Sequence, residues 1–225
     1  MNNERLLDKM QRRFGRFAVS NLMQYIVIGM AVVFVMDLIV FPASKFSLTA
    51  AMAFDRDAIF HGQIWRIISF VLIPPNSSII FIVFSLYFYW LIGSALEHQW
   101  GTFRFNAFYW CGVICTMIVG LITGYATNYY LNMTLFLAFA IIYPDFQMLL
   151  FFCIPIKIKY LALIDALILA VSFYYASWAG RIALVVAVAN IILFFWHDFI
   201  DTIKSYKRRR RWQKEWNDVR KNWRS

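Results

Sequence analysis

The sequence predicts an all-α membrane protein, and three observations support this prediction. The 225 residues are 62% hydrophobic and only 15% charged, whereas a soluble domain is about half apolar and about a quarter charged. Apolar runs of about 20 residues, the length that crosses the hydrocarbon of a bilayer, recur along the chain. The net charge of +10 is concentrated at the two ends of the chain, outside these runs. We therefore expect one polytopic domain in a lipid bilayer.

Six segments qualify as membrane spans. In chain order they are Ser20–Phe41, Ser78–Leu96, Phe105–Gly124, Thr127–Tyr143, Tyr160–Ala179 and Arg181–Phe199. A seventh apolar run, Phe146–Ile156, is too short to cross and contains Pro155, so we interpret it as interfacial. The expected organisation is a basic N-terminal segment (1–19), a six-span membrane domain (20–200) and a basic tail (201–225).

The distribution of charge predicts the orientation. Residues 1–17 and 204–225 hold fifteen Lys and Arg, whereas residues 18–203 hold seven basic and eight acidic residues. Placing both termini in the cytoplasm puts eighteen Lys and Arg on that side and four on the other, as the positive-inside rule requires. Basic tails of this kind indicate contact with the anionic inner leaflet and not with nucleic acid. We expect a bacterial plasma membrane, with the endoplasmic reticulum as the alternative.

The C-terminal tail has an amphipathic pattern. Trp212, Trp216, Val219 and Trp223 are spaced four, three and four residues apart, which places them on one helical face with Lys and Arg elsewhere. A helix of this kind lies in the headgroup layer with its tryptophans partly immersed. A simple positively charged anchor is the alternative interpretation.

Two motifs lie near the second span. The first, Gly62-Gln63-Ile64-Trp65-Arg66, belongs to a long external segment; the second is Gly93-x-x-x-Glu97-x-x-x-Gly101 at the end of the span. Glycines four residues apart leave a flat strip on which another helix can pack closely. A carboxylate is costly near lipid, so Glu97 should accept hydrogen bonds from a neighbouring turn or helix. We interpret Glu97 as a packing and capping residue, with a catalytic role as the alternative.

These motifs, together with six spans and a long first loop, resemble the rhomboid superfamily. The segment Tyr143–Lys157 also resembles the rhomboid link between the fourth and fifth spans, and the resemblance covers Gly62 to Phe195. It implies a six-helix rhomboid-like bundle with a long external first loop. In it, Trp65, Arg66, Gly93, Glu97 and Gly101 are the family's structural residues.

The catalytic residues of that family are missing. An active rhomboid protease has a serine in a Gly-x-Ser-Gly turn at the start of the fourth span and a histidine base on the sixth. Here residues 127–136 contain no serine or glycine, and residues 183–196 contain no histidine. A hydroxyl nucleophile needs a base beside it, and Thr134 has none. We therefore expect no enzymatic activity, no cofactor and no metal site; the group His197, Asp198 and Asp201 is interpreted as a polar helix end.

Four polar residues remain within the predicted bundle. They are Asn132 and Thr134 on the fourth span, Asp165 on the fifth and Asn190 on the sixth. Their depths are similar enough for one hydrogen-bonded cluster if these spans adjoin. The first interpretation is hydrogen bonding between helices, worth about 0.6–2 kcal/mol per contact. The second is a site for a polar residue of another protein's transmembrane helix, because an intramembrane Asp is a functional candidate.

The resemblance implies a function like that of the inactive family members, the derlins and iRhoms. Those proteins bind transmembrane helices of client proteins and influence their folding, trafficking or degradation. We therefore expect membrane lipids and transmembrane clients as partners. The alternatives are a rhomboid-type intramembrane serine protease with atypical residues, and a carrier of small solutes or lipids.

Overall fold

A computed structural model describes residues 11–13, 15–40, 47–75, 78–150, 154–194 and 212. Its helices and strands are α1 Leu22–Val35, α2 Leu48–Met52, α3 Arg56–Phe60, α4 Arg66–Ser69, α5 Ile79–Trp100, α6 Thr102–Thr123, α7 Tyr129–Ile142, β1 Gln147–Leu150, β2 Ile154–Lys157, α8 Ile158–Tyr175 and α9 Trp178–Phe194. A π-helical turn, Met36–Val40, continues α1, and a 3-10 turn, Phe70–Leu72, continues α4.

Within the described residues, four helices are long and apolar enough to span a bilayer. They are α1 with its π turn, α5, α6 and α8. The chain is therefore a mainly helical, multi-pass membrane protein, as the composition predicts. Helix α7 lies at the predicted fourth span but is shorter, and α9 lies at the predicted sixth span, where its described part ends at Phe194. With 14 residues, α7 measures about 21 Å, less than the ~30 Å thickness of the hydrocarbon.

Helix α5 is the centre of the bundle. It packs against α1, α6 and α7, and α7 also packs against α6 and α8. Helices α5 and α8 pack less closely on each other than the helices of any of these pairs do. The close approach of α1 requires Gly93, because a Cβ atom there would lie 2.3 Å from Cγ of Met23. Helix α9 lies against α6, where the ring of Phe194 meets the ring of Phe108 edge to face.

The two ends of the bundle differ. We call the end that carries residues 47–75 the loop end, and the opposite end, which carries β1 and β2, the hairpin end. The two strands are antiparallel, with Gln147 opposite Lys157 and Met148 opposite Ile156. They occupy the run predicted as interfacial, and their pairing satisfies backbone groups that cannot be left unpaired in lipid. The hairpin itself was not predicted.

One residue, Gly101, separates α5 from α6. Its φ of +84° lies in the region that an L side chain rarely adopts. Its amide donates to the Glu97 carbonyl at 2.9 Å, which closes the last turn of α5. The third residue of the glycine strip therefore makes the tight turn that returns the chain along α5.

We predict that Gly93→Leu lowers the free energy of unfolding in detergent by about 1–3 kcal/mol, because it forces bulk into a closed helix contact. Thermal unfolding of the purified protein measures the effect. Val83→Leu is the matched control, since Val83 lies on the same helix and is 63% exposed. Equal melting temperatures for the two variants would contradict the close packing of α1 on α5.

Candidate functional site

At the hairpin end, the side chains of Glu97 and Asn106 hold the chain as it enters α1. Glu97 Oε1 accepts a hydrogen bond from the Asn21 amide at 2.9 Å, and Glu97 is only 8% exposed. The Asn106 side chain accepts from the Val19 amide at 3.1 Å and donates to the Val19 carbonyl at 2.9 Å. The bond to Glu97 is the contact that the sequence predicts for this residue, and it places Glu97 in packing rather than in a reaction centre.

At the loop end, the short helix α2 is capped from both sides. Asp37, in the π turn after α1, accepts hydrogen bonds from the amides of Leu48 and Thr49 at 2.5 and 3.0 Å. A carboxylate at a helix N-terminus satisfies free amides and complements the helix dipole. Asp37 therefore joins the end of α1 to the start of the external segment.

The Trp65-Arg66 pair caps the other end of α2. The carbonyl groups of residues 50–53 all accept hydrogen bonds from side chains of α4 or the residue before it. Arg66 Nη1 donates to two of them at 2.8 and 2.9 Å, Trp65 Nε1 to one at 3.3 Å, and Ser69 Oγ to one at 2.9 Å. A helix leaves its last carbonyls unpaired, so this motif closes the fold of the loop.

A cavity of about 540 Å³ lies at the loop end between α5, the start of α7 and the external segment. Asn128, which precedes α7, donates from Nδ2 to the carbonyls of Val71 and Ile73 at 3.1 and 2.9 Å. These bonds place the start of the short helix α7 beneath the external segment. The cavity occupies the space between the external segment and the start of α7.

Polar groups on three helices meet beside this cavity. The Asn132 side chain lies beside the hydroxyl group of Tyr89, and both residues line the cavity. The carboxyl group of Asp165 on α8 lies within electrostatic reach of the hydroxyls of Tyr89 and Tyr129. Asn132 and Asp165 are 7% and 8% exposed. We refer to Tyr89, Tyr129, Asn132 and Asp165 as the polar site.

All four predicted polar residues are buried, but they have different partners. Asn132 and Asp165 share the surroundings of Tyr89, as described above. Thr134 Oγ1 donates to the Leu131 carbonyl of its own helix at 2.8 Å. Asn190 Nδ2 donates to the Phe108 carbonyl on α6 at 3.2 Å, where Gly112 leaves room for it. The latter two bonds lie away from Tyr89, and Oδ1 of Asn190 is buried without a partner among the described residues.

Several contributors to the site were not among the predicted residues. Tyr89 and Tyr129 were missed because each is one aromatic residue among many in an aromatic-rich chain. The available signal was the position of each hydroxyl group in the sequence. Tyr89 lies four residues before Gly93, and Tyr129 lies three residues before Asn132. Asn128 and Asp37, polar residues at the edges of apolar runs, were likewise given no role.

The arrangement offers hydrogen bonding and charge but no activated nucleophile. The histidines in the described part of the chain are His61, whose Nδ1 lies 2.6 Å from the Asp57 carbonyl in the external segment, and His98, near the hairpin end of α5. None of the described residues that line the cavity is His or Lys. No group of metal-binding side chains occurs among the described residues. His197, Asp198 and Asp201 lie outside them.

The chain matches no protein-family model, and no curated protein matches it. Of the predicted interfacial tail, Trp212 is described and is 58% exposed; Trp216 and Trp223 lie outside the described residues. Geometry and sequence are therefore the basis for assigning a function.

We predict that Arg66→Ala lowers the free energy of local opening of α2 by about 1–3 kcal/mol, because two carbonyls lose a charged donor. Hydrogen exchange of the amides of residues 48–54 measures this opening. Arg56→Ala is the matched control, since Arg56 lies in the same segment and its side chain is 43% exposed beside Asp57. Unchanged exchange in Arg66→Ala would contradict the capping role.

Proposed function

We propose that the chain is a rhomboid-like membrane protein without proteolytic activity that binds transmembrane helices of client proteins. The client helix enters between α5 and α8 and contacts the polar site. Both termini lie in the cytoplasm, and the protein resides in the plasma membrane of a bacterium. The observation that carries the proposal is that the partly buried Tyr89 of α5 lies beside the buried Asn132 of α7 and Asp165 of α8, where α5 and α8 pack on α7 rather than closely on each other.

The outer surface of α8 supports lateral entry. Of its residues, Ile158, Asp165 and Leu169 are buried, whereas large apolar side chains such as Leu163, Leu167 and Val171 are 48–72% exposed. Lipid covers such a surface, and an apolar client helix can replace that lipid at little cost because lipid tails are as apolar as the helix. A polar group of the client can then form hydrogen bonds with the polar site, which lies on the inner side of α8.

The six-helix arrangement is the second support. Helices α1 and α5–α9 follow the order and positions of the six predicted spans. The motif residues Trp65, Arg66, Gly93, Glu97 and Gly101 all make structural contacts at the two ends of α5 or in the segment before it. These are the places that the resemblance to rhomboids assigns to them.

We predict that the purified protein does not react with fluorophosphonate or β-lactam probes of serine hydrolases and does not cleave rhomboid substrates. The nearest replacement for the serine, Thr134, is 1% exposed and hydrogen bonded to its own helix, and none of the described residues that line the cavity is His or Lys. Gel-based labelling with an active rhomboid as positive control measures reactivity. Labelling that disappears in Thr134→Ala would contradict the proposal.

We predict that a photocrosslinking amino acid placed at Phe84 on α5 or Ile168 on α8 captures transmembrane proteins in the native membrane. These positions lie on the two helices that flank the proposed entry. Ile118 on α6 is the control, since it is 53% exposed on a different helix. Equal capture from all three positions, measured by mass spectrometry, would mean that clients are not bound between α5 and α8.

A further inference from the structure

We infer that the client helix carries a lysine or arginine near the centre of the membrane, and that Asp165 and Asn132 bind this basic side chain. This inference rests on the proposed helix-binding function and adds to it the chemistry of the client residue.

The first argument concerns hydrogen bonding. Oδ1 of Asn132 and Oδ2 of Asp165 are two of the buried side-chain atoms that have no hydrogen-bond partner among the described residues, and both residues lie beside Tyr89. While Asp165 is ionised, both oxygen atoms are acceptors, so neither can donate to the other. A lysine ammonium offers three donors and an arginine guanidinium five, with no acceptor in either. A basic side chain therefore supplies what both oxygen atoms lack.

The second argument concerns charge. The sequences of α5 and α7 contain no Lys or Arg. The basic residue of α8, Lys159, lies 3.8 Å from Asp145 at the hairpin end, about 9 Å along the helix from Asp165. In membranes, an acidic residue is usually paired with a basic one. Arg181 of α9 donates to two backbone carbonyls at the loop end of α8. Neither of these basic residues pairs with Asp165, so we assign the counter-ion of its carboxylate to the client.

The third argument concerns the surroundings of the two oxygen atoms. Tyr89 and Tyr129 lie beside Asn132 and Asp165 and line the cavity, and their rings attract cations as well as presenting hydroxyl groups. Tyr89 and Asp165 each lie ten residues from the loop end of their helix. This spacing corresponds to a depth of about 15 Å, the middle of the hydrocarbon. The matching residue of the client therefore lies at the centre of its span.

The experiment measures binding of synthetic single-span peptides to the full-length protein in phosphatidylcholine vesicles. Three poly-(Leu-Ala) peptides differ at one central residue, which is Lys, Leu or Asp. Energy transfer between a dye on the peptide and a dye at the C-terminus of the protein reports binding. The protein variants are Asp165→Asn, which keeps the size of the side chain, Asn132→Ala, and the matched control Asp145→Asn, which removes an exposed charge at the hairpin end.

We expect the Lys peptide to bind about tenfold more tightly than the Leu peptide, and the Asp peptide more weakly than either. The preference for Lys should fall to about twofold in Asp165→Asn, fall partly in Asn132→Ala, and remain in Asp145→Asn. Because the peptides are also compared on the unaltered protein, the inference is tested even if a variant fails to fold.

Three results would overturn the inference. Equal binding of the Lys and Leu peptides would refute the basic residue and leave helix binding intact. A preference for Lys that survives both Asp165→Asn and Asn132→Ala would refute the assignment to these two residues. Absence of binding by any of the three peptides would refute the proposed function itself, and the inference with it.

Discussion

Backbone groups at membrane depth have no water to bond, so each irregular segment of this chain must find its partners within the protein. The external segment meets this constraint through side chains that belong to other elements. Asp37, from the end of α1, satisfies the start of α2, and Trp65 and Arg66 satisfy its end. Asn128, from the start of α7, satisfies the carbonyls of Val71 and Ile73. The segment is thereby held between the first and fourth predicted spans.

The need to satisfy backbone groups also links the external segment to the polar site. Because Asn128 bonds to the segment before α5, the short helix α7 starts below the external segment, and its first turns face a cavity instead of lipid. Asn132, one turn into α7, therefore lines this cavity although its side chain is largely buried. A longer α7 would fill this volume with its own first turns. The length of α7 thus determines whether a cavity lies next to the buried amide group of Asn132.

The sequence predicted the coarse architecture because hydrophobic burial in a bilayer depends on run length alone. The four long helices overlap the predicted spans, with ends that differ by a few residues. The external segment was less predictable: α2 has only five residues, too few to form alone, and depends on caps from Asp37 and Arg66 that lie far along the chain. The hairpin after α7 likewise depends on pairing between strands, which an apolar run does not specify.

The polar residues were found from sequence, but their roles depend on which hydrogen-bonding groups are already used. Thr134 donates to a backbone carbonyl of its own helix, and Asn190 donates from Nδ2 to a carbonyl of α6. Asn132, Asp165 and Asn190 each keep a buried acceptor oxygen without a partner among the described residues, and the first two of them lie beside Tyr89. Leucine at position 165 would remove the cost of burying a carboxyl group on a helix that is otherwise apolar at this depth. Asp165 thus adds little apolar burial to α8, and a buried carboxyl group at this position is the feature that the proposed client binding accounts for.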